Sequence, residues 1–195
     1  MKSVTLKEIL PLQQYEILRA RLRPLFIADK ERHRLALGSH ITLLFENGQS
    51  VWYQIHEMVR TERLTAEDAI RHEIDTYNEL LPRSGELAAT MLIEYPDPQD
   101  RDLKLRELVG LESHLWIRIG ERREKGRFDA RQIATDRVSA VQFVRFPLGG
   151  LEAEEFQDLA KHGKVEVEID HPHLSIAVTL SSDLAAALAR DIAEV

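Results

Sequence analysis

The amino-acid sequence predicts an α+β fold, in which helices pack on a mixed, largely antiparallel sheet behind a helical N-terminal segment. The predicted strands come in pairs, and the predicted helices do not alternate strictly with them. That order of elements is typical of α+β proteins rather than of parallel α/β folds. No stretch rich in Gly, Ser or Pro divides the chain. We therefore expect one domain over residues 1–195, in which the helical residues 1–36 can form a lobe.

Two helices are predicted at the N-terminus. Thr5 and Glu8 have the spacing of a capping box, which opens a short helix. Pro11 suits the first turn of a second, longer helix. That helix should bend or break near Pro24, because proline removes a backbone donor from the helix interior.

A β-hairpin is predicted around residues 40–53. Residues 40–46 are apolar and β-branched, and they run into Asn47-Gly48. This dipeptide is the strongest hairpin signal in the chain, because a type I′ turn needs positive φ at both central positions. The returning strand should begin near Ser50 and give way to a helix after Tyr53.

Residues 54–80 have a helical pattern that allows two interpretations. Thr65 begins a segment that resembles a fresh helix N-cap, which favours two helices with a tight connection. The apolar positions from Ile55 to Tyr77, however, keep one phase throughout, which would suit a continuous helix. We predict the break.

The rest of the chain alternates clear periodic segments with turn signals. Strands are predicted at 87–95, 114–119, 138–146, 165–170 and 174–180, helices at 100–109, 151–161 and after Ser181 or Ser182, and a charged loop at 121–127.

Composition excludes several classes of function. The chain has no cysteine, which excludes disulfides and thiolate catalysis and leaves only His and carboxylates as metal ligands. Its net charge of −7 argues against general nucleic-acid binding. No signal-peptide pattern or long apolar stretch is present, so we expect a cytoplasmic protein that does not enter a membrane.

No strong catalytic motif is present, so candidate residues come from helical geometry. Phosphate-binding, dinucleotide-binding, serine-hydrolase and zinc-protease motifs are all missing. Glu62 and Glu73 both lie in the direction of the apolar stripes. We therefore predict that both are buried and bonded to a partner such as Arg60, Arg63 or a tyrosine, because an unpaired buried carboxylate is costly.

A turn near residues 64–65 would place four ionisable side chains opposite one another. His56 would then lie level with Glu73, and Glu57 with His72, which is how metal sites are built between facing helices. The same groups could instead form salt bridges with nearby arginines, which is the commoner outcome. Because the ExxH spacing of di-iron helices is missing, we expect no cofactor and no tightly bound metal.

Two further segments each allow a functional and an ordinary interpretation. His171-Pro172-His173 could present two imidazoles from a rigid loop, although proline is also common in plain hairpin turns. The basic loop at 121–127 has no interleaved aromatic residues, so it fits a solvated hairpin tip better than a nucleic-acid contact.

Six segments of the chain form a distinctive series: HITLLFEN, YQIHEMVRTER, EIDTYNELLP, GELAATMLIEY, SAVQFVRF and IDHPH. This series resembles an uncharacterised bacterial family catalogued as domain of unknown function 3501, and the combination of FEN with YQI-x-EM-x-R is specific. The resemblance covers essentially the whole chain and implies no catalytic residue. The resemblance also implies a role beside a rubrerythrin-like di-iron protein and an iron–sulfur oxidoreductase, because these are often encoded next to members of the family. The positions of His56 and His72 are not fixed as His in the family, which counts against the metal site.

The resemblance and the polar residues together give two functional hypotheses. The first is a cofactorless accessory or binding protein that works with redox partners through its 46–94 region. The second is an enzyme or metalloprotein that uses the carboxylates of that region. The predicted binding residues are Glu46, Gln54, Glu57, Arg60, Glu62, Glu73 and Asn78.

Overall fold

Two antiparallel sheets and six α-helices make up residues 2–195, the part of the chain that the computed structural model describes. The helices are α1 (Leu12–Arg32), α2 (Gly48–Thr61), α3 (Glu67–Asn78), α4 (Pro98–Glu107), α5 (Ala153–Lys161) and α6 (Ser182–Ala193). The strands are β1 (Arg34–Leu37), β2 (Ile41–Phe45), β3 (Glu86–Ile93), β4 (Leu115–Ile119), β5 (Arg122–Lys125), β6 (Arg127–Phe128), β7 (Val141–Pro147), β8 (Val165–His171) and β9 (Leu174–Thr179). The predicted α+β class is confirmed.

The strands form a five-stranded sheet in the order β1-β2-β3-β7-β6 and a four-stranded sheet in the order β5-β4-β8-β9. The inner faces of both sheets share one hydrophobic core with α4, α5 and α6. Alternate residues of a strand point to the same face, and β8 accordingly buries Val165, Val167 and Ile169. No helix among residues 2–195 is long and apolar enough to cross a membrane.

A second, smaller hydrophobic cluster joins α2 to α3. Val51, Ile55 and Val59 lie four residues apart along α2 and pack with Ile74 of α3 and with Leu81. The predicted break between the two helices is confirmed. After α2 ends, Arg63 adopts a φ of 53°, a left-handed conformation that turns the chain back toward α3.

The predicted hairpin at Asn47-Gly48 is wrong, because these residues begin α2. Asn47 has a φ of −143°, and its side chain accepts a hydrogen bond from the Ser50 backbone N–H at 2.8 Å. The Ser50 hydroxyl in turn accepts from the Asn47 N–H at 3.0 Å. This reciprocal pair caps the helix N-terminus, so no strand returns from Ser50.

The predicted bend or break near Pro24 is not a break, since α1 runs through it from Leu12 to Arg32. Proline frees the carbonyl one turn earlier, which here belongs to Ala20. Both Ala20 and Pro24 are exposed. Water can therefore bond the freed carbonyl, which lowers the cost of keeping the helix intact.

The charged segment at 121–127 forms strands instead of the predicted loop. β5 pairs with β4 of one sheet, and β6 pairs with β7 of the other. Gly126 lies buried between them, and a Cβ placed there would come within 3.1 Å of Leu115 Cδ2 and 3.2 Å of Val144 Cγ1. The chain therefore crosses between the two sheets at a point where only glycine fits without a shift.

Candidate functional site

Glu46 is a buried carboxylate at the junction of β2 and α2. Its backbone N–H donates to Ala88 O at 2.8 Å, which extends the pairing of β2 with β3 by one residue. Its side chain accepts hydrogen bonds from the hydroxyls of Ser50 at 2.5 Å and Thr90 at 2.6 Å. The amide of Gln54 adds a longer bond of 3.2 Å. Two elements, α2 and β3, therefore supply the donors that hold this carboxylate.

A cavity of about 730 Å³ opens beside Glu46, between the C-terminal end of α3 and strands β3, β6 and β7. We call it the α3–β7 cavity. Its lining is Glu46, Thr76, Tyr77, Glu79, Leu80, Arg83, Ala88, Ala89, Arg127, Phe128, Asp129, Arg131, Gln132, Phe143, Val144 and Arg145.

Two of the four arginines in this cavity are held by partners of the protein itself. Arg145 donates to Leu81 O at 3.1 Å and to Glu79 O at 2.5 Å, and it forms an ion pair with Glu86. It thereby ties the end of α3 to β7. Arg131 contacts Asp129 at 2.6 Å and Glu79 at 2.5 Å, which links the segment after β6 to α3.

The other two arginines, Arg83 and Arg127, are exposed cations with no acidic partner within residues 2–195. Arg83 bonds only through its backbone, whose N–H donates to the Glu86 side chain at 3.1 Å and whose carbonyl accepts from the Glu86 N–H at 3.2 Å. The cavity therefore offers two guanidinium groups that are free to bind an anion.

Tyr77 lines the same cavity and is surrounded by carboxylates. Burial raises the pKa of its hydroxyl, and the negative charges of Glu73, Glu62 and Glu46 raise it further. Its phenol therefore stays protonated at neutral pH and can donate a hydrogen bond.

Glu57 and Arg60, both predicted binding residues, lie on the side of α2 that faces α1. Glu57 accepts two hydrogen bonds from Arg19, at 2.8 and 2.9 Å, and one from the Tyr15 hydroxyl at 2.8 Å. Arg60 lies 3.5 Å from the same carboxylate. The Arg19 hydrogen bond is the main cause that lowers the pKa of Glu57 to about 2, against the opposing effect of burial. These groups fasten α1 to α2.

The prediction that Glu62 and Glu73 are buried with partners is wrong. Glu62 is exposed and Glu73 is half-buried, and neither bonds a side chain among residues 2–195. Glu62 is the C-cap of α2, and no other element covers the side chain at this end of the helix. Asn78 instead has a structural role, because its side chain forms two 2.9 Å hydrogen bonds with the backbone of Val4.

Two pairs were predicted to lie level between α2 and α3, His56 with Glu73 and Glu57 with His72, and they do not form a metal site. Nδ1 of His56 bonds Trp52 O at 2.8 Å, and Nε2 accepts from the Leu10 N–H at 3.0 Å. Glu57 is occupied by Arg19, as described above. Within residues 2–195 no group of three or more His, Asp or Glu is placed to hold a metal ion.

His171-Pro172-His173 forms the turn between β8 and β9. His171 is buried, with Nε2 placed 3.1 Å from Val109 O and Nδ1 accepting from the His173 N–H at 3.2 Å. Both ring nitrogens are therefore used within the fold, which agrees with the ordinary hairpin interpretation.

The sequence interpretation missed the arginines of the α3–β7 cavity. Arg83, the pair Arg127 and Arg131, and Arg145 come from three separate segments, so no local spacing connects all four. The only local signal of these arginines is the basic run at 121–127, whose sequence fits a solvated loop. Of the predicted residues, only Glu46 lines the cavity, while Gln54 contacts the Glu46 side chain without lining it.

Comparison with known proteins places the chain in a family. A family model described as "Protein of unknown function (DUF3501)" matches residues 3–192. A crystal structure of a protein of unknown function from Burkholderia pseudomallei is 34% identical to this chain. The alignment covers 98% of this chain and 100% of that chain, with a TM-score of 0.87. None of the curated proteins matches this sequence. The chain therefore belongs to the DUF3501 family of proteins of unknown function.

Proposed function

We propose that this protein is a binding protein whose ligand is a small organic anion held in the α3–β7 cavity. The observation that supports this most directly is the pair of arginines, Arg83 and Arg127, that line the cavity without an acidic partner. Guanidinium groups form bidentate hydrogen bonds with carboxylate and phosphate, so such a pair matches either group.

The size and lining of the cavity fit an organic ligand rather than a bare ion. Its volume of about 730 Å³ falls within the range of small-molecule sites, roughly 300–1,000 Å³. Phe143 and Leu80 provide apolar surface, and Tyr77 provides a hydrogen-bond donor. An anion with an apolar or aromatic body would bury that body against these residues while its charge meets the arginines.

Electrostatics supports the same proposal. The chain as a whole carries a net charge of −7, whereas the cavity lining holds four arginines against three carboxylates, so it is less acidic than the rest of the chain. Arg131 and Arg145 are already fixed by neighbouring carboxyl and carbonyl groups. They shape the cavity without having to reorganise on binding, which lowers the entropic cost of association.

Calorimetric titration tests the proposal with hydrocinnamate, phenyl phosphate, citrate and inorganic phosphate. We expect one of the organic anions to bind, and Arg83→Gln and Arg127→Gln each to weaken it about 5- to 10-fold, as the loss of a partly exposed charged contact does. Arg21→Gln is the matched control, because Arg21 is an exposed arginine of α1 outside the cavity. Absence of binding, or an equal effect of the control, would refute the proposal.

We also propose the accessory role beside rubrerythrin-like and iron–sulfur partners, for which the support is the family resemblance alone. Co-purification of the intact protein with a tagged rubrerythrin-like protein and a tagged iron–sulfur oxidoreductase tests it. A failure of both to bind would contradict it. Metal analysis of untagged protein tests the alternative metalloprotein hypothesis. Near-equimolar metal that survives dialysis against a chelator would favour that alternative.

A further inference from the structure

We propose that the ligand of the α3–β7 cavity also carries a protonated amine, and that Glu46 is the residue that selects for it. The ligand would then be a small amino-carboxylate rather than a simple organic anion. This inference rests on the proposed function, because it concerns the same cavity, and it assigns the two ends of the ligand to two different parts of the lining.

Glu46 is buried without a positively charged partner among residues 2–195. Its residue is only 5% exposed, yet no Lys, Arg or His within residues 2–195 pairs with it. Its partners, Ser50, Thr90 and Gln54, are all neutral donors. Buried carboxylates are normally paired with a cation, because neutral donors replace only part of the lost hydration. Glu46 therefore lacks the positive partner that its burial calls for.

The N-terminus of α2 and two hydroxyl groups stabilise Glu46 in the absence of a cation. Glu46 immediately precedes Asn47, the N-cap of α2, so it lies at the positive end of the helix dipole. Two short hydroxyl bonds complete its stabilisation. No salt bridge engages Glu46 among residues 2–195, which leaves its side chain available to a ligand.

Glu46 can be reached from the α3–β7 cavity. Glu46 lines the cavity, and its negative charge acts on the Tyr77 hydroxyl, which lines the cavity too. The amide of Gln54 is the weakest of its partners, with contacts of 3.2 and 3.5 Å, and its side chain is only half-buried. An ammonium group could replace that amide and form a shorter, charge-assisted bond with Glu46.

The two ends of the cavity differ in exposure and in the residues that line them. Glu46 is buried, whereas Arg83 and Arg127 are exposed. A ligand with one charge of each sign would therefore enter with its ammonium first and leave its anionic group at the arginines. A molecule lacking the amine would leave Glu46 unpaired in a cavity that the ligand has closed to water, and it would bind less tightly.

Matched ligands test the inference on the unmodified protein. One series has phenylalanine, hydrocinnamate, phenethylamine and N-acetylphenylalanine, which share an aromatic body but differ in charge. A second has ε-aminocaproate, caproate and hexylamine, in which the charges are farther apart. In at least one series we expect the amino-carboxylate to bind at least about tenfold more tightly than the molecule lacking the charged amine. Calorimetry measures each dissociation constant.

Variants identify the residue that recognises the amine. Glu46→Gln is nearly isosteric, and the Ser50 and Thr90 hydroxyls can rotate to accept from the new amide. It should remove the preference for the amine, by weakening the amino-carboxylate while hydrocinnamate or caproate binds at least as tightly as to the parent. Glu57→Gln is the matched control, since Glu57 is another α2 carboxylate, directed at α1. It should keep the preference. If Glu46→Gln does not fold, the comparison between ligands on the unmodified protein still decides the amine requirement.

The outcomes separate this inference from the proposed function. If hydrocinnamate and caproate bind as tightly as their amino counterparts, the inference is overturned and the anion-binding function stands. If the preference exists but survives in Glu46→Gln, the assignment to Glu46 is overturned. If no member of either series and none of the earlier anions binds, both proposals fall.

Discussion

Arg19 of α1 donates to both carboxylate oxygens of Glu57 in α2, with Nε at 2.8 Å and Nη2 at 2.9 Å. The Tyr15 hydroxyl adds a third hydrogen bond to the same carboxylate. The side chains of Arg19 and Glu57 are 27% and 23% exposed, so the pair is partly shielded from water and salt. Unlike a typical surface ion pair, it should contribute measurably to stability.

Glu57→Gln should therefore lower the free energy of unfolding by about 1–3 kcal/mol at neutral pH, because Arg19 and Tyr15 lose a charged acceptor. Since the pKa of Glu57 is lowered to about 2, its contribution is complete above its unfolded value, about 4.3, and is lost as pH falls toward 2. Urea denaturation of both proteins from neutral to acidic pH measures this. Glu62→Gln, at an exposed position, should change stability by less than about 0.5 kcal/mol. A difference between parent and Glu57→Gln that does not shrink in acid would contradict the prediction.

His33 should make stability depend on pH in the opposite sense. Nδ1 lies 2.8 Å from Asp29 O, and Nε2 lies 2.9 Å from Asp191 Oδ2, so both nitrogens face acceptors. Burial opposes the charged ring, but the bonds to Asp191 and Asp29 outweigh it and raise the pKa of His33. Its contribution is thus complete below about pH 6.5 and is lost as pH rises through the raised value.

His33→Gln should remove that alkaline loss of stability, as followed by denaturation midpoints between mildly acidic and alkaline pH. His72→Gln, at an exposed histidine, is the control and should keep the profile of the parent. NMR titration of the His33 ring gives an independent measurement. A ring that titrates at or below the ordinary histidine value would show that the acceptors do not hold a proton on it.

Gly48→Ala should leave stability unchanged or raise it by up to about 1 kcal/mol, because Gly48 is the first residue of α2 and its φ is not positive. The discarded hairpin would require the opposite result. The thermal midpoint measures this, and Gly85→Ala, at a φ of 78°, is the contrasting control that should destabilise. A marked loss of stability in Gly48→Ala would argue against the helix start.

Gly126→Ala should destabilise by about 1–3 kcal/mol, because the added Cβ meets Leu115 and Val144 in the packed core. Leu115→Ala in the same background tests the cause, since removing the opposing side chain should reduce the cost of the alanine. Denaturation midpoints of the two single variants and the double variant form a double-mutant cycle. Purely additive effects would mean that the contact with Leu115 is not responsible.

The sequence predicted most elements because hydrophobic periodicity and turn residues are local signals. The error at Asn47-Gly48 has a local cause as well. Asn-Gly suits a type I′ turn, but Asn47 followed by Ser50 also forms a helix cap, and the cap is what the chain uses. The order of strands in the two sheets has no such local signal. It depends on long-range pairings such as β3 with β7, which periodicity does not encode.

The candidate site was predictable only in part, for a related reason. Glu46 was among the predicted binding residues and does line the cavity, but helical phase misplaced Glu62 and Glu73. Phase gives the direction of a side chain and does not tell whether another element covers that direction. Arg127 and Arg131 are four residues apart, but they meet Arg83 and Arg145 only after α3, β6 and β7 have assembled, so no spacing along the chain could connect all four.

The attachment of α1 affects how the molecule opens locally. Tyr15 is the only fully buried residue among the 21 of this helix. Segments with so little buried surface exchange their amide hydrogens through local opening, at a free energy well below that of global unfolding. The backbone after Arg21 should therefore be the first place where a trypsin-like protease cuts the native protein, whereas the bond after Arg23 is protected by Pro24. Because the bonds to Glu57 are ionic, salt and acid should accelerate that cut, while the core between the two sheets stays intact.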